Sequence, residues 1–577
     1  MKEEKKIEIN KKYNLLFVMV ILAAGFIAYS NSFDCSFHFD DWDILLKNII
    51  KQSSTTASDW IRNYPSRPLG ILTFAANYNI HQLDVWGYHL VNLMIHLINA
   101  FLVWWLTLIT FSTPVMKEAS ISRHKNTIAF LTGLLFVTHP LATQSVTYIY
   151  QRFASLATLF YLLSMIFFVK GKLLENNKKA LFLFCASIVS GVCGILTKEI
   201  VFTLPFAIVL YHYCFIKTSS WKPELKDKNL IVCLIMLAIL IIFFFRYFSL
   251  DIFNTVGPRR GYSYAITMKE YFLTQFSVIL TYIRLFFLPF NQNLDYHYPL
   301  STSFFQLKTF FSFLALMSIL SAGVLLFKKY RLISFGIFWF FLTLSVESSI
   351  IPISQNVIFE HRTYLPGFGF FIAFTGAFFY LFREKYLHAA LIILLLIATV
   401  NTYLTYQRNK IWKDDYTLWN DCVIKSPDKA RPHNNRGSVY IKLGQHQLAV
   451  EDFNQAIRIN PDYTDAYYNL GLAYYSLGQY QRSIENYSEA IRLDPNLAEP
   501  YNNRGNTYND LGLRQQAIED YNQALRINPD YTEAYNNRGV AYYFQGNVEL
   551  ACRDLQRACD LGYCAILEKV KDRGSCR

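Results

Sequence analysis

The chain has 577 residues, of which 53% are hydrophobic, 17% aromatic and only 17% charged. A typical soluble domain carries roughly 25% charge, so the whole chain is neither an ordinary soluble protein nor a disordered one. The formal charge of +13 invites a nucleic-acid reading, but the lysines cluster between apolar runs, as the positive-inside rule puts them; no nucleic-acid partner is expected.

The first run, 13–30, follows Lys2, Lys5, Lys6, Lys11 and Lys12 and lacks a small-residue cleavage site. It reads as a signal anchor and first span. Further candidate spans are 88–111, 127–141, 153–169, 180–196, 200–216, 229–250, 309–327, 332–351, 364–382 and 387–405. Each is roughly long enough, with tilt, to cross ~30 Å of hydrocarbon. The stretch 268–290 is ambiguous. If it does not cross, every basic cluster falls on one side, which the positive-inside rule favours. The expectation is about 11 spans, an inner N-terminus and an outer C-terminal part.

The outer loops then hold most of the unusual polar residues. The first contains His38-Phe39-Asp40-Asp41-Trp42-Asp43. Adjacent carboxylates beside a bilayer are costly unless used or well solvated. They can serve as a general base or hold a divalent metal; the bland alternative is an exposed acidic turn. Next come Arg67-Pro68-Leu69, then His89, Asn92 and His96 on one helix face. Asn92 and His96 read as a buried polar seam between helices. His139-Pro140, Gln151-Arg152, Lys198-Glu199, Arg259-Arg260, Asp295-Tyr296-His297 and Glu360-His361-Arg362-Thr363-Tyr364 complete the set. Separated cations near an acidic pair suit a phosphate-bearing substrate, because Arg and Lys bind phosphate oxygens and stabilise a leaving phosphate. The best candidates for that role are Arg152, Lys198 and Arg362. No P-loop, GxGxxG, HExxH or GxSxG motif is present.

After about residue 406 the grammar changes. Gly437, Gly471, Gly505 and Gly539 recur with period 34, as do Pro461, Pro495 and Pro529. A 34-residue helix–turn–helix of this kind reads as tetratricopeptide repeats, four of them over 430–563, which stack into a concave binding surface. Asn435, Asn469, Asn503 and Asn537 precede each glycine by two residues. Stacked as a ladder, their amides can hold an extended peptide backbone without reading its sequence; the alternative is an ordinary repeat residue. Arg436, Arg504 and Arg538 beside them read as solvated. Cys552 and Cys559 lie too far apart on one helix to pair; each could pair with Cys564 or Cys576, which suits an oxidising compartment, and the alternative is free thiols.

The fold class is therefore all-α: a polytopic membrane domain over 1–406, a connecting helix over 407–429, the repeats over 430–563 and a cap over 564–577. These residues and their order resemble the transmembrane and tetratricopeptide-repeat O-mannosyltransferases, most of all bacterial-type relatives. The carriers are Asp40-Asp41, Arg67-Pro68-Leu69 with Asn77, His89…Asn92…His96, His139-Pro140…Arg152, Lys198-Glu199, Pro289…Asp295, Glu360…Tyr364-Leu365-Pro366 and Trp412 leading into repeats. Two features depart from the animal members. The stretch after His139-Pro140 lacks their second His and Glu, and His361 stands where they have Arg.

The resemblance implies a GT-C type membrane domain, a polyprenyl-phosphate-linked sugar donor and a Ser/Thr hydroxyl acceptor on protein. Asp40 or Asp41 would be the base, with Arg67, His89, His139, Glu199, Asp295, Glu360 and Tyr364 supporting the site. No cofactor is required, no spacing demands a metal, and a divalent ion at the acidic pair is the one option. The expected location is a bacterial inner membrane with the repeats on the periplasmic side, or an ER membrane with them in the lumen. The alternative function is a non-catalytic scaffold whose repeats recruit envelope proteins.

Overall fold

A computed structural model describes residues 2–41, 67–218, 266–348, 356–382 and 386–576, with side chains from residue 14 onward. Every regular element among them is helical. The described residues divide into two compact units, one running up to Leu418 and one from Trp419 onward.

The first unit is built from α1 (Lys2–Tyr29), α2 (Pro68–His81), α3 (Val85–Thr110), α4 (Lys125–Thr138), α5 (Arg152–Leu173), α6 (Asn177–Ile195), α7 (Leu204–Tyr211), α8 (Met268–Phe287), α9 (Leu307–Leu326), α10 (Arg331–Leu344), α11 (Tyr364–Leu381) and α12 (Leu387–Asn409). Local chemistry sets the starts. Pro68 occupies the first turn of α2, where its missing N–H costs nothing. The Asp84 side chain accepts from Trp86 N to cap α3, and Asn176 accepts from Lys178 N and Lys179 N to cap α6. Thr267 and Glu270 form a capping box on α8.

Polar side chains on these apolar helices face one another. Ser164 and Ser187 exchange hydrogen bonds between α5 and α6. Thr132 meets Thr375 at 2.8 Å between α4 and α11. Such pairs hold helices together where lipid offers no hydrophobic driving force. Gly336 and Gly369 let α10 and α11 touch, since a Cβ on either would collide with the other's carbonyl.

Among the described residues eight helices are long and apolar enough to cross a membrane. A ninth follows if Ser120–Thr138 and Pro140–Val146, bent by 52°, form one span. The described residues thus hold eight or nine of the about eleven spans expected. The 127–141 run is the bent pair, the 332–351 run yields only Arg331–Leu344, and 229–250 lies outside the described residues. Helix α8, the ambiguous stretch, is not among the eight; it carries Lys269, Glu270 and Arg284.

In the second unit, paired helices follow the 34-residue period: Ala430–Lys442 with His446–Ile459, Thr464–Ser476 with Tyr480–Leu493, Ala498–Asp510 with Arg514–Ile527, and Thr532–Gln545 with Val548–Asp560. Gly437 lies so close to Phe453 that a Cβ would stand 2.6 Å from the ring, and Gly471, Gly505 and Gly539 repeat this against Tyr487, Tyr521 and Leu555. The recurring arginines are not solvated, which corrects the sequence expectation. Arg436, Arg504 and Arg538 each grip an aspartate sixteen residues on, Asp452, Asp520 and Asp554, with two N–H···O bonds of 2.6–2.8 Å. The remaining arm of each reaches back sixteen residues, to Asn420, Ser488 or Asn522. Disulfides join Cys552 to Cys576 and Cys559 to Cys564, closing a cap that ends in Ala565–Asp572.

Candidate active site

The acidic pair lies just past α1, on a turn that passes through Phe39 at φ +45°. That left-handed conformation is costly for a bulky residue, so the turn needs holding from outside. Asp41 is fully buried. Its Oδ2 accepts from His38 N at 2.9 Å and its Oδ1 from Tyr150 N at 2.7 Å. Burial pushes the Asp41 carboxyl up to about 7; the backbone bond from His38, the nearby His38 ring and the Tyr150 N–H work against that rise, and Asp40 adds to it. Asp40 is only partly buried. The Tyr148 hydroxyl donates to its Oδ2 at 2.8 Å and accepts from its backbone N–H at 3.2 Å. His38 anchors the start of the turn: Nε2 donates to the Trp412 carbonyl at 2.6 Å, and Nδ1 faces Asp415 Oδ1 at 2.9 Å. The two carboxylates thus differ. Asp41 is enclosed within the turn, while Asp40 is the accessible one. Asp43 and Arg259-Arg260 lie outside the described residues.

Three cations lie around His361. Arg67 gives Nη2 to both oxygens of Glu199, at 3.0 and 3.1 Å, and keeps 29% of its side chain exposed. Lys198 pairs with Glu347 at 2.5 Å, both 4% exposed. Arg362 donates from Nη1 to the Tyr271 hydroxyl at 2.9 Å and lies over the Phe359 ring. All three cations are within electrostatic reach of His361. Tyr150 is within reach of Arg67 and Glu199 as well as Asp40 and Asp41. Arg67 therefore shares the surroundings of Tyr150 with the two carboxylates.

Arg152 stands apart from the role expected of it. It is fully buried. Its Nε donates to Asn92 Oδ1 at 2.6 Å, Nη1 to the Thr73 carbonyl at 3.2 Å, and Nη2 to Asn77 Oδ1 and the Tyr88 carbonyl at 2.8 and 3.2 Å. The guanidinium also lies 4.2 Å from the centre of the Phe74 ring. All three nitrogens are engaged in tying α2, α3 and α5 together, so a phosphate has nothing left to bind.

Other expected residues also face the protein. His89 Nε2 donates to the Cys35 carbonyl at 2.9 Å, and His139 Nε2 to the Phe286 carbonyl at 3.1 Å. The Tyr364 hydroxyl donates to His96 Nδ1 at 2.6 Å and accepts from Asn99 at 3.2 Å, while His96 Nε2 donates to the Val137 carbonyl. Glu360 accepts from Asn293 N, Gln292 and Tyr296, which fixes the loop that carries the buried Asp295. Among the described residues no three His, Cys, Asp or Glu side chains gather as a metal-ligand set.

Sequence reasoning missed Tyr148, Tyr150, Trp412 as a packing partner, and Glu347. Only Glu347 left a signal, a carboxylate at the end of an apolar run.

In the repeats, the asparagines bond from one repeat to the next. Asn469 donates to Asn434 Oδ1 at 3.0 Å, Asn503 to the Tyr468 hydroxyl at 2.9 Å and Asn537 to Asn502 Oδ1 at 3.1 Å. Asn435 accepts from Asn434 at 3.3 Å. All four remain partly exposed.

Comparison with known proteins bears on both units. The "TPR repeat" family model matches residues 437–478, 471–512 and 505–546, and the "Tetratricopeptide repeat" model matches 532–561. Protein O-mannosyl-transferase Tmtc3 of Drosophila melanogaster is 26% identical over 526 residues, covering 77% of this chain and 55% of that protein. Protein O-mannosyl-transferase F38B6.6 of Caenorhabditis elegans is 24% identical over 463 residues, covering 77% and 62%. The chain thus spans little more than half the length of these relatives. Among solved structures, MamA is 24% identical, with 27% of this chain and 89% of that one covered and a TM-score of 0.24. The chain's homologues are protein O-mannosyl-transferases with tetratricopeptide repeats in their C-terminal region, and it is itself a multi-pass membrane protein that carries such repeats.

Proposed function

We propose that this chain is a GT-C type membrane glycosyltransferase. It moves a sugar, mannose or another hexose, from a polyprenyl-phosphate donor to Ser/Thr hydroxyls of exported proteins. One observation carries the reading: a partly exposed carboxylate, Asp40, held on a strained turn, with the part-exposed cation Arg67 within electrostatic reach of the same Tyr150. The names of the homologues support the reaction class.

In this mechanism Asp40 takes the proton from the acceptor hydroxyl as its oxygen attacks the anomeric carbon. The bond from that carbon to the phosphate oxygen breaks, and the polyprenyl phosphate leaves with the electron pair. A single displacement inverts the anomeric centre. Arg67 and Arg362 receive the phosphate charge, and the Lys198–Glu347 pair sets the field around them. Asp41 shapes the turn. Phosphate is a good leaving group, so neither a strong general acid nor a cofactor is needed.

The repeats would hold an extended acceptor segment, each ladder asparagine contributing the amide N–H that the neighbouring repeat does not use. The two disulfides suit an oxidising compartment, which supports repeats on the periplasmic or lumenal side.

The test is mass spectrometry of exported proteins from cells holding wild-type, Asp40→Asn or Asp41→Asn chain at equal abundance. Loss of a defined Ser/Thr-linked hexose in Asp40→Asn upholds the reading and identifies sugar and acceptor. An unchanged glycan profile sinks it in favour of the scaffold.

A further inference from the structure

One hydroxyl holds Asp40 at two points. Tyr148 Oη donates to the carboxylate Oδ2 and accepts from the N–H of the same residue. The phenol ring is 3% exposed and stacks on Trp412, which is fully buried, with centroids 5.3 Å apart and planes 22° apart. The ring is therefore fixed by packing, and the hydroxyl is delivered to one place. Two residues on, Tyr150 N holds Asp41, so a single short stretch of chain fixes both carboxylates. A phenylalanine would fill the same volume against Trp412. What the hydroxyl adds is directed at Asp40, since a buried hydroxyl has to be bonded to be tolerated.

We propose that Tyr148 is a positioning residue for glycosyl transfer. Its hydroxyl aims the Asp40 carboxylate at the acceptor hydroxyl, and Trp412 holds the ring that does so. The inference rests on the reading of Asp40 as the base. A base that is misaimed slows the chemical step and leaves binding of donor and acceptor as it was.

The experiment uses the full chain in native membranes. The probes are polyprenyl-phosphate mannose and, if the glycopeptide comparison identifies another hexose, its polyprenyl phosphate; the acceptor is the peptide found there. Wild type, Asp40→Asn, Tyr148→Phe and Tyr148→Leu are compared at equal abundance. Tyr148→Phe is expected to lower kcat by about tenfold to a hundredfold, with KM for both substrates within about twofold of wild type. Tyr148→Leu, which also removes the stack, is expected to lose both rate and folded protein. A Tyr148→Phe kcat within twofold of wild type, beside an inactive Asp40→Asn, overturns the inference and leaves the base in place. A rise in KM matching the loss of rate overturns it in favour of a structural role. An active Asp40→Asn overturns the base reading, and the inference with it.

Discussion

The two units use charge in opposite ways. In the repeats, one arginine–aspartate clamp occurs three times with the same spacing and nearly the same distances. The second repeat lacks it, and both partners change together: Leu470 stands at the arginine position and Asn486 at the aspartate position. Among the described residues of the membrane unit no charged contact recurs. Arg152, the acidic turn and the Lys198–Glu347 pair are each single. Repetition makes a stability element replaceable, because each repeat contacts only its neighbours and their energies add. A single-copy network has no substitute, and its members fail together.

The largest effect separating the two is expected at Arg152. Replacing it with Ala strands four acceptors, three of them buried, and empties a site under Phe74. Each buried acceptor left unsatisfied costs about 1–3 kcal/mol, enough together to remove most folded protein from the membrane. Arg152→Lys is the sharper variant, since it keeps the charge and loses the planar fork. Fluorescence-detected size exclusion of both variants should show low yield. A well-folded Arg152→Lys defective only in transfer would return Arg152 to the phosphate.

Asp41 comes next. Its folded carboxyl is raised to about 7 by burial, whereas an unfolded Asp titrates near about 4. The folded state therefore holds the proton more tightly. Stability from this group is present below about pH 4 and is lost as pH rises towards 7, at about 1.4 kcal/mol for each pH unit in that window. Thermal unfolding of the purified chain across that window should fall with rising pH. Asp41→Asn should flatten the slope while lowering stability throughout, because an amide cannot accept both backbone N–H groups. A slope that survives in Asp41→Asn belongs to another group.

How much of each unit was legible follows from the same contrast. The repeat helices could be read because glycines, prolines and asparagines return every 34 residues. Even the clamp was written there, since Leu470 and Asn486 break the pattern sixteen residues apart, but arginines read singly look solvated. In the membrane unit the apolar runs announce most spans, and Asp40-Asp41 stand out as charge beside a bilayer. Their holders do not. Tyr148 is 108 residues from Asp40 and Trp412 is 374 from His38. Contacts at such separations leave no periodic trace, and a tyrosine in the sequence does not tell whether its hydroxyl meets water or a carboxylate. Arg152 misled for a related reason: a cation near an acidic loop looks the same whether its five N–H groups are free or engaged.

The clamps themselves give a smaller effect. Arg504→Ala alone leaves Asp520 partly buried without its partner and should cost about 1–3 kcal/mol. Arg504→Leu with Asp520→Asn copies the second repeat and should recover most of that loss, to within about 1 kcal/mol of wild type. Urea unfolding of the full chain, followed through the repeats, measures both. A double variant as unstable as the single would mean that the second repeat is compensated elsewhere.

The smallest effects are expected along the asparagine ladder, and there the contrast can be broken outright. Asn503→Ala removes the bond to Tyr468, and Asn537→Ala removes the one to Asn502. A net hydrogen bond is worth about 0.5–1.5 kcal/mol, so each change should lower stability by about that much. Each should also weaken binding of an extended acceptor peptide only about twofold to fivefold, because one amide N–H in the ladder is lost and the others remain. Combined, the two should add, as independent neighbours in a solenoid do. Calorimetric titration of wild type, both singles and the double tests this directly. If the double loses far more affinity than the sum, the ladder acts as one cooperative site, and the repeats would resemble the acidic turn in depending on every member at once.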